Sequence, residues 1–126
     1  MFEERTIPVL AYNLETVLAE KMETVISRGI LNTRMRDYYD LTVLSIVKSE
    51  SINVSDLRKA LEATSRKRGS HEFMTDWEHI LRQIRDDAGL MEQWERYQWK
   101  YDYAADYDWE DVIANVEKLF GRMMIC

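Results

Sequence analysis

Between Leu14 and Ile26 the residues Leu14, Val17, Leu18, Met22, Val25 and Ile26 recur three and four apart, the spacing that lines one face of an α-helix. Asn13 stands ahead of them as an N-cap, and the pattern predicts a helix running to about Arg28 and Gly29. A second helix is predicted from about Thr33 to Lys48. Its Met35, Tyr38, Tyr39, Leu41, Val43, Leu44, Ile46 and Val47 lie almost all round the wheel, which predicts burial on several sides. A third follows an Asn53 or Ser55 cap with Val54, Leu57, Ala60 and Leu61, and should stop before Arg66-Lys67-Arg68 and Gly69, leaving that basic run in a connection. Thr75 or Asp76 caps a fourth through Trp77, Ile80, Leu81 and Ile84. A fifth spans about Leu90 to Lys100 with Met91, Trp94, Tyr97 and Trp99. Asp108 and Asp111 form a capping pair that opens a last helix, striped by Val112, Ile113, Val116, Leu119 and Phe120.

Ahead of these helices, Thr6-Ile7-Pro8-Val9-Leu10-Ala11-Tyr12 is β-branched and aromatic with an early proline, the composition of a short edge strand. Nothing later resembles its partner. A lone strand leaves amides and carbonyls unpaired, so this one is expected to pair between molecules or with a sheet built by other chain. The predicted fold is all-α, a bundle of about six helices preceded by one short orphan β-strand, with residues 1–12 as the strand and 13–126 as a helical domain.

Composition supports that reading and narrows the partners. The 126 residues suit one domain, and one proline and four glycines are few breaks for a chain that is 46% hydrophobic. A net charge of −6 sets the chain as a whole against a phosphate backbone, so nucleic-acid contact would need a local basic patch. The single cysteine, Cys126, excludes an internal disulfide and fits a cytoplasmic protein. No stretch approaches the roughly 18 apolar residues of a membrane span, and the N-terminus lacks a basic, apolar leader. His71 and His79 are eight apart, which suits no zinc site, and no metal is predicted from this chain alone. The Trp94, Trp99 and Trp109 set with its neighbouring tyrosines is read as core, or as contact with a missing domain, ahead of a base-stacking platform.

Two features do not fit a plain bundle. Lys21 falls in the middle of the first helix's apolar stripe, while Glu15, Glu20 and Glu23 lie off it. A buried ammonium needs a carboxylate or an anion beside it, unless its stem packs and its head escapes to water. The second helix opens with Arg34-Met35-Arg36-Asp37-Tyr38-Tyr39-Asp40. Asp37 and Asp40 share a face that Leu44 continues into the core, so both carboxylates should be partly buried. First-turn acids with local arginine partners, a structural ion cluster, and half of a phosphate-handling site all remain open on the residues alone. If the site is shared, Lys21 and Asp37 should approach within salt-bridge reach.

Leu18-Ala19-Glu20-Lys21, then Arg28, then Arg34-x-Arg36-Asp37-x-Tyr39-Asp40-Leu41, resembles the third and fourth motifs of the AbiEii/AbiGii nucleotidyltransferase toxins of abortive-infection, type IV toxin–antitoxin systems. Tyr12 stands where that family's tyrosine closes a strand, and Trp94, Tyr97 and Trp109-Glu110-Asp111-Val112 resemble its helical C-terminal part. The resemblance implies a polymerase-β-like enzyme in which Mg and a nucleoside triphosphate meet on an Asp-x-Asp pair. It implies that Lys21 binds the triphosphate, that Asp37 is catalytic, and that Arg34, Arg36, Tyr39 and Asp40 support them. It also implies an antitoxin partner and an RNA acceptor.

The chain departs from the family in beginning just before the third motif, without the Gly-Ser loop and the Asp-x-Asp pair. Gly69-Ser70 followed by Asp76-Trp77-Glu78 imitates them only superficially, in a helical context and after the later motifs. The expectation is therefore a helical C-terminal domain, inactive alone, that works with a missing N-terminal nucleotidyltransferase domain. The alternative is a stand-alone interaction module, a decayed toxin or regulator, that binds a partner or a second copy through the exposed strand.

Overall fold

The computed structural model describes residues 13–124. The strand expected over 6–12, with Tyr12, lies outside them, as does Cys126. The described residues form seven α-helices and no strand: α1 Leu14–Arg28, α2 Met35–Val47, α3 Val54–Arg68, α4 His71–Met74, α5 Trp77–Asp86, α6 Ala88–Lys100 and α7 Trp109–Met124. Short 3-10 turns, Gly29–Leu31, Ser49–Ser51 and Asp102–Ala104, follow α1, α2 and α6.

The helix starts follow their capping chemistry. Asn13 Oδ1 accepts the Thr16 amide at 2.7 Å, Asn53 Oδ1 accepts the Asp56 amide at 3.0 Å, and Asp87 Oδ2 accepts the Leu90 amide at 2.9 Å. Asp87 thus starts α6 two residues before Leu90. Asp108 and Asp111 cap reciprocally: the Asp111 amide donates to Asp108 Oδ1 at 2.8 Å and the Asp108 amide to Asp111 Oδ2 at 3.3 Å.

α1 is the central element and packs on α2, α3, α4 and α5. Its Leu18, Ala19, Met22 and Val25 are wholly buried. α7 closes the other side of the core against α2, α3 and α5 with Val112, Ile113, Val116, Leu119, Phe120 and Met123, the expected stripe plus one turn. Trp77 stacks on Phe120 at 5.3 Å, and Tyr38 meets Trp109 edge-on at 5.1 Å.

Four expectations are corrected. The basic run Arg66-Lys67-Arg68 is the last turn of α3 and not a connection. Cations there complement the helix C-terminal dipole, and Gly69 closes the helix in the left-handed conformation at φ 75°. The short α4 adds a helix to the predicted six. α2 is buried on several sides only in its first half, because Ile46 and Val47 near its end are exposed. Trp99 is 88% exposed and is no part of the core, unlike Trp94 and Trp109. No helix among the described residues is long and apolar enough to cross a membrane.

Candidate anion-binding site

Lys21 projects from α1 toward the first turns of α2, where Asp37 and Asp40 lie one turn apart. Its Nζ stands 3.4 Å from Asp37 Oδ1 and 3.1 Å from Asp40 Oδ2. The expected approach of Lys21 and Asp37 across the first two helices is thus found. The lysine side chain keeps 24% of its surface exposed while that of Asp37 keeps 6%, so the ammonium is held at the edge of water with its counter-charge beneath it.

Two arginines rim the group. Arg34 Nε is 3.9 Å from Asp37 Oδ2, and Arg36 Nε is 3.7 Å from Asp40 Oδ2. Both contacts are long and both guanidiniums are about two-thirds exposed, so they are worth little as salt bridges. Three cations therefore face two carboxylates, and the surplus positive charge lies on the solvent side. Asp37 is also incompletely bonded. Its Oδ2 is buried and has no hydrogen-bond partner among the described residues, an uncommon state for a buried polar atom.

The start of α2 is set from outside the helix. Arg34 is the N-cap residue but makes no side-chain capping bond. Asn32, wholly buried, fixes the backbone just ahead of the helix: its Oδ1 accepts the Arg34 amide at 3.3 Å and its main-chain carbonyl accepts the Tyr38 hydroxyl at 3.3 Å. Burial holds the Tyr38 hydroxyl well above the ordinary tyrosine value of 10.0; the Asn32 side-chain amide opposes this, and the charges of Asp37 and Asp87 add to it. Tyr39 turns the other way and packs on Tyr103, with ring centroids 4.6 Å apart.

Sequence reasoning missed three residues here. Asn32 carries a readable signal, an Asx residue two before a helix N-cap. Glu15 and Glu23 lie off the apolar stripe yet are buried, because α3 and α4 cover that face of α1. Glu15 accepts the Asn53 amide at 2.7 Å, while Glu23 binds Arg68 Nη1 at 2.6 Å and Ser70 Oγ at 2.7 Å.

The surface hollows lie elsewhere: about 210 Å³ between α2 and α7 beside Lys118 and Arg122, about 260 Å³ beside Trp99, and about 200 Å³ beside Met74. The Lys21 group is an open surface feature, a shape that suits an anion reached from outside. Among the described residues no three His, Cys, Asp or Glu side chains gather to hold a metal ion.

A family model described as nucleotidyl transferase AbiEii toxin, type IV toxin–antitoxin system, matches residues 1–115. The chain belongs to this family. The matched AbiEii span takes in α1 to α6, the first turns of α7, and both charged motifs. No curated protein and no solved structure matches the chain.

Proposed function

We propose that this chain is the helical C-terminal share of an AbiEii-type nucleotidyltransferase toxin, with Lys21 as its triphosphate-contacting cation and Asp37 as its active-site carboxylate. One observation carries the proposal: Lys21 is held at the surface by Asp37 and Asp40 with two further guanidiniums around it. A purely structural ion cluster would be expected to hydrogen-bond both oxygens of its most buried carboxylate, and among the described residues Asp37 Oδ2 has only the long Arg34 contact and no hydrogen bond.

In this reading Asp37 and Asp40 fix the Lys21 ammonium in place, so that binding a triphosphate requires no reorganisation of the cation. Arg34 and Arg36 release their long contacts and turn to the outer phosphates, where planar guanidiniums grip oxygens bidentately. Asp37 orients the Lys21 ammonium and, in the assembled site, serves as the carboxylate that helps remove the proton of the attacking hydroxyl. The same reading makes the chain inactive by itself and RNA the acceptor class. The family's type IV designation brings an antitoxin as the regulatory partner.

Titration calorimetry of the chain with each nucleoside triphosphate tests the reading. Lys21→Ala should weaken binding at least about tenfold, the loss of one well-placed charge-assisted contact. Absence of binding by the unmodified chain would overturn the proposal. It would leave the interaction-module reading, which the exposed Leu31 and Trp99 favour.

A further inference from the structure

Five tyrosines gather where α2, α6 and the turn after α6 meet. Tyr39 lies 4.6 Å from Tyr103, Tyr97 lies 4.8 Å from Tyr101, and Tyr101 lies 5.3 Å from Tyr103, all between ring centroids. Tyr107 flanks Tyr39 at 6.5 Å. None of the five is fully buried and Tyr103 is exposed, whereas Tyr38, one position before Tyr39, is completely inside. A core cluster would hide its rings. Here four rings are half-buried and Tyr103 shows its own to water.

The patch is continuous with the Lys21 centre. Tyr39 adjoins Asp40, which contacts Lys21, and both Arg36 and Asp40 lie within electrostatic reach of Tyr97. Lys100 Nζ stands 5.6 Å from the centre of the Tyr101 ring, so cations alternate with π-faces along this surface. Asp106, exposed and beside Tyr39, adds a negative charge on the tyrosine side, which repels phosphate and accepts hydrogen bonds from ring amino groups. The charge pattern therefore sorts a nucleotide by its two ends, polyphosphate toward Lys21, Arg34 and Arg36, and base toward the tyrosines.

We propose that this tyrosine surface, with Tyr103 as its outermost ring, is the site on which the base of the bound nucleoside triphosphate stacks. The inference rests on the reading of Lys21 as a triphosphate contact. Stacking on an aromatic face serves any base, because every base has a π-face. The surface thus supplies affinity and orientation, with the Asp106 carboxylate choosing among exocyclic groups.

Calorimetry with two probes, a nucleoside triphosphate and inorganic tripolyphosphate, separates base from phosphate. The unmodified chain should bind the nucleotide about tenfold or more tightly than tripolyphosphate, and Tyr103→Ala should remove most of that margin without changing tripolyphosphate binding. Tyr103→Phe should keep the margin. Tyr103→Leu, which retains apolar contact with its neighbours but no π-face, should lose it. Equal affinity for the two probes, or a margin that survives Tyr103→Ala, would overturn the base site while leaving the triphosphate reading intact. So would loss of single-stranded RNA binding in Tyr103→Ala with nucleotide binding unchanged, since the occupant would then be the acceptor. If neither probe binds, both readings fall together.

Discussion

Two ion clusters grow from the same helix, at Lys21 and at Glu23, and they are built in opposite ways. Glu23 is 3% exposed and both its oxygens are engaged, one by Arg68 at 2.6 Å and the other by the Ser70 hydroxyl at 2.7 Å. That cluster ties α1 to the end of α3 and the start of α4. Around Lys21 the distances are longer, Asp37 hydrogen-bonds through one oxygen, and the arginines stand mostly in water. A closed cluster spends its bonding capacity on the fold. An open one leaves donors and an acceptor without partners, which lowers stability and keeps them available to a ligand.

If the contrast is real, the same chemical change should have unequal effects in the two places. Glu23→Gln should destabilise the protein by about 2 kcal/mol in denaturant titration, since it weakens two charge-assisted hydrogen bonds at a buried site. Arg68 reaches water and limits the loss. On the buried side of Asp37, Tyr38 provides a pH test. Its folded-state value is raised above 10.0, so its contribution is fully present below about pH 10 and is lost above it, as the unfolded chain ionises and the folded one does not. Stability should fall there by up to about 1.4 kcal/mol per pH unit from this group, and Tyr38→Phe should flatten that slope in alkaline denaturation curves. Gly69→Ala should cost about 1 kcal/mol at the turn that places Arg68 and Ser70, because φ 75° strains any side chain although nothing lies within 4 Å of the added carbon. The smallest effect is expected at the open cluster, where Asp37→Asn should shift stability by less than about 1 kcal/mol in either direction. A loss there equal to that of Glu23→Gln would erase the distinction.

Periodicity and capping made much of this fold legible. Asn13, Asn53 and the Asp108–Asp111 pair announced three helix starts, and the α7 stripe was readable residue by residue because one face of that helix is covered. α1 was harder for the opposite reason. It lies at the centre and is buried on more than one face, so a search for one apolar stripe places Glu15 and Glu23 in solvent when neighbouring donors hold them inside. The basic run ending α3 resembles a loop by its charge, but the helix dipole favours cations in a last turn and Gly69 closes the helix beyond them. Of the candidate site, the Lys21–Asp37 approach followed from the conflict between a lysine and its apolar stripe. Asn32 carried a local signal, an Asx residue two before the N-cap, whereas the tyrosine surface was not legible, since it depends on how α2 meets residues outside its own pattern.

A thermal-shift titration with tripolyphosphate, run on the unmodified chain, Lys21→Ala and Glu23→Gln, reads both clusters at once. The ligand-free midpoint reports what each contributes to the fold, and the ligand-induced rise reports binding. Lys21→Ala should melt near the unmodified chain and lose the rise, while Glu23→Gln should melt several degrees lower and keep it. A Lys21→Ala protein that still rises with tripolyphosphate, or an unmodified chain that does not, would contradict the assignment of Lys21 as an anion-binding residue.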